Sequence, residues 1–280
     1  MWEFPELFVF PLDKWIDQAI DWLTITGDPV FTVIRDILLK PMLWMEDLLL
    51  WMPWFVVILI FALLAWRLIG WKLAVGVVIG LLFIGVLGLW DMAMQTLAIV
   101  IIATLLSILI GIPIGVLMSQ FSTMRNIVMP ILDLMQTMPS FVYLIPALMF
   151  FGLGKVPALI AVFIYSVPPV VRLTNLGVRH VDASVVEAAK AFGSTRGQML
   201  LKVQLPLARP TIMAGVNQTI MMALAMVVIA SMIGAKGLGS EVLNGIARLE
   251  VGRGFNGGIS IVILAVIIDR ITQGLARENK

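Results

Sequence analysis

The sequence predicts an all-α membrane protein, a polytopic bundle of about seven helical spans behind an amphipathic N-terminal tail. Three observations predict it. Hydrophobic residues make up 61% of the 280 and charged residues only 13%, against roughly 45–50% and about 25% in ordinary globular chains. Mean hydropathy is +1.05. The apolar residues gather into stretches close to the roughly 20 residues that a helix needs to cross about 30 Å of hydrocarbon. This composition excludes a soluble single domain. It also excludes a disordered chain, which needs low hydrophobicity and high charge. A formal net charge of +2 gives no footing for nucleic acid. Cysteine is absent and His180 is the one histidine, so a disulfide framework, a thiolate nucleophile and a His- or Cys-ligated metal are excluded.

Residues 1–52 form the tail. Leu12, Trp15, Ile16, Ala19 and Leu23 share one helical face, and Asp13, Lys14, Asp17, Gln18 and Asp21 share the other. That pattern fits a helix lying on a membrane surface or on the bundle. Its mostly acidic polar face argues against attraction to anionic head groups. The start, Met1 to Pro5, has neither the basic region nor the apolar run of a signal peptide.

Spans are expected at about 53–69, 72–90, 93–118, 127–153, 156–173, 210–233 and 256–274. They divide into a leading pair at 53–90 and a core at 91–275, with a polar loop at 174–209 and a tail at 276–280. The fourth stretch contains Pro130, Asp133, Pro139 and Pro146. It reads either as one kinked span or as a surface helix followed by a span from about Thr137 to Gly152. The fifth carries Pro168–Pro169 near its end. Backbone groups freed by proline inside a bilayer must find partners in the protein or in a water-filled cavity, which places both spans inside the bundle.

Charge sets the expected orientation. The tail holds nine acidic residues (Glu3, Glu6, Asp13, Asp17, Asp21, Asp28, Asp36, Glu46, Asp47) against Lys14, Arg35 and Lys40. The 174–209 loop holds Arg179, Lys190, Arg196, Lys202 and Arg209 against Asp182 and Glu187, and the chain ends with Arg277 and Lys280. Basic loops stay in the cytoplasm. Seven spans then leave the N-terminus outside and the C-terminus inside.

Catalytic signals are missing. Gly154-Lys155 is followed by Val156, so no phosphate-cradling G-x-x-x-x-G-K-[ST] loop forms. Gly234 to Ser240 completes no dinucleotide fingerprint and reads as a flexible turn. No catalytic residue and no metal ligand is assigned. Asp133 is the one acidic residue inside a plausible span and thereby a candidate for the transport path; Asp269 and Arg270 sit at the cytoplasmic interface. No acidic relay crosses the bilayer, which disfavours an ion-driven carrier.

The 174–209 loop is the most informative segment. Asp182-Ala183-Ser184 offers an N-cap, and Glu187-Ala188-Ala189 strongly favours helix. Gly193 permits a sharp turn. Thr195 to Val203 can form a second short helix, which Pro206 ends or deflects before the next span. The spacing is E-A-A-x-x-x-G, nine residues, then [IV]-x-L-P, filled by Glu187, Ala188, Ala189, Gly193, Val203, Leu205 and Pro206.

This pattern resembles the coupling loop of bacterial ABC importer permeases. Leu132 to Pro139, Phe141 to Leu144, Pro168–Pro169, Arg172 to Thr174, Lys202 to Leu207, Pro210 to Thr219 and Val227 to Ile233 resemble the permease subunit of glycine betaine/proline betaine importers. The resemblance runs from about residue 90 to 275. It implies a type I ABC importer permease fold in a bacterial plasma (inner) membrane. The working assembly would be a homodimer of permeases, two cytoplasmic ATPases and a separate external substrate-binding protein. The chain itself would carry no cofactor; ATP and Mg would bind the partner ATPase, where Glu187 to Gly193 would dock. The end at Lys280, without the receptor domain that some relatives carry, is in keeping with a separate receptor. The cargo would be a quaternary ammonium solute such as glycine betaine, proline betaine, carnitine or choline, imported for osmoprotection. Such a cation is held over aromatic faces, so Phe141, Tyr143, Phe163 and Tyr165 join Asp133 as candidate path residues. A secondary carrier and a non-transporting scaffold or sensor are the alternatives from other classes.

Overall fold

A computed structural model describes residues 12–276, which are helices and turns without a strand among the described residues. Glu3, Glu6, Arg277 and Lys280, used above for orientation, lie outside them. The tail is one helix, α1 (Leu12–Trp51). α2 (Trp54–Leu68) and α3 (Trp71–Val86) make a hairpin, and α4 (Trp90–Gln120) follows. α5 (Ser122–Thr137), a 3₁₀ turn (Ser140–Tyr143) and α6 (Leu144–Phe151) cover the fourth stretch. α7 (Lys155–Ser166) and α8 (Pro168–Arg179) cover the fifth. α9 (Ala183–Ala191) and α10 (Arg196–Gln198) form the polar loop. A π-helical stretch (Met199–Gln204) leads into α11 (Leu205–Ala230), and α12 (Leu238–Ala247) and α13 (Val251–Ala276) close the chain.

Among the described residues, four helical segments are long and apolar enough to cross a membrane: Trp90–Gln120, Lys155–Arg179, Arg196–Ile233 and Val251–Leu275. Two bent pairs, α1 with α2 and α5 with the 3₁₀–α6 segment, and the shorter apolar α3 account for the other expected stretches. Proline explains both bends. Met138 precedes Pro139 and is extended, at φ −67° and ψ 136°, because a following proline disfavours helical backbone; the axis turns by 112° there. Pro53 stands at the 103° bend between α1 and α2. By contrast, Pro168 and Pro169 occupy the first turn of α8, where their missing N–H groups cost nothing. The fifth span therefore runs through to Arg179.

The core is built from α4, α7, α8 and α11. Glycines let these helices approach closely. A Cβ on Gly115 would lie 2.6 Å from Thr174 Cβ and 2.7 Å from the Val171 carbonyl oxygen, and one on Gly111 would lie 2.6 Å from Val170. On the other side, Gly215 of α11 meets the backbone of Pro169 and Val170. α8 is thus gripped from two sides, as small residues allow in membrane bundles.

The structure decides three expectations. Only the first half of the fourth stretch stays outside the bundle of this chain, as in the alternative of a surface helix followed by a span: Leu132 is the one buried residue of α5, whereas Tyr143, Leu144 and Ala147 beyond the bend join the core. That helix carries Arg125, Asn126, Asp133 and Gln136, and the bend at Pro139 turns it away from the axis of α6. Of the two places open to the apolar face of Leu12, Ile16, Ala19 and Leu23, a membrane surface or the bundle, the bundle is not the one: these residues stay exposed. α1 meets the core further along. Phe31 stacks on Phe150, with ring centroids 4.8 Å apart, and Met42, Glu46 and Leu49 are buried. Thirdly, Gly234 to Ser240 is no flexible turn. Gly154 N–H donates to the Ile233 carbonyl at 2.9 Å, and Thr96 Oγ1 accepts from Leu238 N–H at 2.9 Å, capping the unforeseen α12.

These contacts define two ends. Glu46, Thr96, Lys155, Ile233 and Leu238 gather at one. The α8–α11 loop, the α2–α3 turn and the last turns of α13 gather at the other, where Gly274 packs on Leu68 and Ile69.

Candidate functional site

The α8–α11 loop is a helix–turn–helix, as its residues require. Asp182 caps α9, its carboxylate accepting from Ser184 N–H at 2.8 Å. That hydrogen bond holds the Asp182 carboxyl below the usual carboxylate range. At the far end Gly193 has φ +80°. Its N–H donates to the Lys190 carbonyl at 2.9 Å, and Ser194 N–H donates to the Ala189 carbonyl at 3.1 Å. This is the Schellman arrangement, which places a left-handed residue just past the helix. Thr195 and Gln198 then form a capping box: Thr195 Oγ1 accepts from Gln198 N–H at 3.3 Å, and Gln198 Oε1 accepts from Thr195 N–H at 2.9 Å.

Pro206 behaves differently from expectation. It neither ends a helix nor deflects the chain, because Arg196–Ile233 is continuous. The π-helical stretch over Met199–Gln204 widens the turn ahead of the proline. Leu205 N–H reaches back five residues to the Leu200 carbonyl, a register that relieves the crowding a proline imposes four residues back. The turn at Gly193 thus feeds directly into the sixth span.

The expected docking residues separate into two roles. Glu187 and Ala188 are exposed on α9, with Gly193 at the tip. Leu205 is half-buried and packs with Val178, Ala208 and Ile212 at the base of the loop. Val203 and Ala189 are half-buried, and Pro206 is exposed. Phe192, inside the motif but unassigned from sequence, is 91% exposed. An aromatic ring standing in solvent beside two alanines is a knob suited to a partner's groove. Its position one residue before the turn glycine was the available signal. A polar hollow of about 380 Å³ lies behind α9, lined by Gln120, Val186, Lys190, Ser194, Arg196, Met199 and Gln204.

Of the five candidate path residues two pair with each other, one pairs with a residue outside the set and two stand apart. Asp133 makes an ion pair with Arg172 of α8. Tyr143 and Tyr165 meet edge to face, with centroids 5.9 Å apart, and Tyr143 Oη donates to the Met135 carbonyl. Phe163 is half-buried and Phe141 is 53% exposed; neither joins the tyrosines. Sequence reasoning missed Arg172 as the partner of Asp133. It also missed that Arg172 Nε, Thr174 Oγ1 and Asn175 Oδ1 are buried on α8 without a hydrogen-bond partner among the described residues. Asp269 accepts from Asn217 at 2.8 Å and from Gln273 at 2.8 and 2.9 Å, tying α13 to α11.

This helical bundle, with a capped, exposed helix between two spans, has relatives among known proteins. The profile of the family described as binding-protein-dependent transport system inner membrane component matches residues 107–279. The chain belongs to this family. The permease is a multi-pass inner-membrane protein. It is 48% identical over 275 residues to the glycine betaine/proline betaine transport system permease protein ProW of Escherichia coli (strain K12), across 97% of this chain and 77% of that one. It is 48% identical to the glycine betaine transport system permease protein OpuAB of Bacillus subtilis (strain 168), across 96% of each. It is 46% identical to the glycine betaine/carnitine transport permease protein GbuB of Listeria monocytogenes serotype 1/2a (strain 10403S), across 99% of each. A solved chain of the MetNI methionine ABC transporter superposes with a TM-score of 0.56 at 21% identity, over 65% of this chain and 89% of that chain. The family match begins within α4, so α1, α2 and α3 stand outside it.

Proposed function

We propose that this permease forms the translocation path of an ATP-driven importer for quaternary ammonium compatible solutes of the glycine betaine class. The observation that carries it is the exposed α9, capped at both ends, with Phe192 as its knob, on a chain nearly half identical to permeases named for glycine betaine. α9 docks on a separate ATPase, which binds ATP and Mg. Closure of two such ATPases moves α9, and α8, gripped between α4 and α11, carries that motion into the path. The assembly is a permease homodimer with two ATPases and an external receptor; the acidic tail faces outside and the α8–α11 loop faces the cytoplasm. The permease catalyses nothing itself. Glu187, Ala188, Ala189, Gly193, Val203, Leu205 and Pro206 build the coupling element.

Asp133, Tyr143, Tyr165, Phe141 and Phe163 contribute to the path. Buried polar atoms without partners cost about 1–3 kcal/mol each, so those on α8 suit a wall completed by a second copy, by water or by passing solute. A tyrosine ring face suits a cation that donates no hydrogen bond.

The test is ATP turnover and labelled betaine uptake in vesicles holding permease, ATPase and receptor. Turnover should rise with loaded receptor and stay low with empty receptor. Equal turnover in both cases removes coupled import, and ATP hydrolysis by the purified permease alone removes the division of labour.

A further inference from the structure

The α2–α3 hairpin has two charged residues, Arg67 and Lys72, both basic and both at its turn; from Pro53 to Trp90 there is no acidic residue. Both are exposed, and neither forms an ion pair among the described residues. The element packed against this turn is the end of α13, through Gly274 on Leu68 and Ile69. Its nearby acid, Asp269, is committed to Asn217 and Gln273. Its other charge, Arg270, is exposed and adds to the same sign. Trp66 and Trp71, 61% and 64% exposed, flank the turn. Such rings settle at the head-group level of a bilayer. A shallow groove of about 450 Å³, lined by Leu63, Trp66 and Arg67, runs from the charged turn along α2.

We propose that this turn is a binding site for one anionic phospholipid. Arg67 and Lys72 hold the head-group phosphate, and an acyl chain lies along the Leu63–Trp66 groove. Charge and shape select this occupant together. A free phosphate would use the cations and leave the groove empty, whereas a neutral lipid would fill the groove and leave the cations unmatched. The site lies on the part of the chain outside the family match and does not rest on the solute proposed above.

The experiment is native mass spectrometry of the purified full chain in detergent, titrated with phosphatidylglycerol and separately with phosphatidylcholine. The wild-type chain should retain phosphatidylglycerol preferentially. Each charge removed, in Arg67→Gln and Lys72→Gln, should weaken it roughly fivefold, the attraction of one basic side chain to an anionic surface. Phosphatidylcholine retention should not change. Arg67→Lys should keep most of the preference, which guards against a misfolded variant. Excess inorganic phosphate should compete weakly. Equal retention of both lipids by the wild type, or an unchanged preference in the double variant, overturns the site. Full displacement by inorganic phosphate would show an anion site without a lipid. A shift of the double variant from dimer to monomer with unchanged lipid retention would assign the face to a second copy instead.

Discussion

Lys155 Nζ lies 2.6 Å from Glu46 Oε2, joining the tail helix to the first residue of the fifth span. Gln95 of α4 donates to the other carboxylate oxygen at 3.2 Å. Glu46 is buried, its side chain 7% exposed, while that of Lys155 is 27% exposed. Three helices thus share one carboxylate, and this contact, with Phe31 on Phe150, holds α1 on the core.

Removing one member of this group should therefore release α1. Glu46→Ala leaves Lys155 without its partner, at a cost of about 1–3 kcal/mol given partial solvent access. The variant should melt earlier, and trypsin should cut sooner at Arg35. The double variant Glu46→Met/Lys155→Met should recover most of the loss, because a matched apolar pair needs no counter-charge. A double variant as fragile as the single one would refute an ionic clamp.

The span pattern was legible because roughly 20-residue apolar runs have one physical solution in hydrocarbon. The coupling helix was legible because an Asp cap, an Ala-rich run and a turn glycine act over short range. The outcome at Pro206 was not, and at Pro139 the sequence left two outcomes open, a kinked span and a surface helix followed by a span. Each proline demands a local adjustment, and whether the chain widens a turn or bends by a right angle depends on neighbours distant in sequence. Tyr143 with Tyr165, and Asp133 with Arg172, are tertiary pairs that periodicity along one helix does not reveal. The same holds for α12, whose first amide finds its partner on Thr96.

Gly193 tests the turn independently of packing. A Cβ there would meet nothing within 4 Å, yet φ is +80°. Backbone preference alone sets the penalty, about 1–2 kcal/mol for an ordinary L-residue and more for a β-branched one. Gly193→Val should abolish most betaine uptake while the receptor still binds ligand. Gly193→Asn, which tolerates the left-handed region, should retain much of it. Equal loss in both variants would point to a side-chain clash with the ATPase rather than to the turn.

Gly115 tests the grip on α8. Alanine there must push α8 from α4, since the nearest atoms include the Val171 carbonyl oxygen at 2.7 Å. Overpacking of this kind costs typically about 1–3 kcal/mol. Gly115→Ala should lower both thermal stability and the coupling of ATP turnover to uptake. Gly197→Ala, in open space, should change neither. Thermal melts and the turnover-to-uptake ratio make the comparison.

Asp182 gives a pH dependence with a defined sign. Its folded carboxyl lies below its unfolded value of roughly 3.9, lowered by the Ser184 N–H bond. The stability it lends α9 is fully present above that value and is lost as pH falls through the folded one. Amide exchange protection in α9 should stay level between about pH 8 and pH 5 and decline only below about pH 4. Asp182→Asn should cap without charge and remove the acid decline, whereas Asp182→Ala should lower protection at every pH. A loss of protection near pH 6 in the wild type would assign the control to another group.

The absence of cysteine makes sidedness directly measurable, because any introduced cysteine is the one thiol in the chain. Asp28 and Ser194 belong to elements at opposite ends of the bundle: α1 is clamped at the Lys155 end, and Ser194 follows the α9 turn. With the acidic tail outside, Asp28→Cys should react with an impermeant maleimide in intact cells. Ser194→Cys should react only after the membrane is opened. Both positions lie outside the four long apolar segments, with Asp28 exposed and Ser194 half-buried. Reaction of both in intact cells would mean leaky cells, which a cytoplasmic control protein detects. The reverse labelling would invert the topology and place the Phe192 knob where no ATPase can reach it.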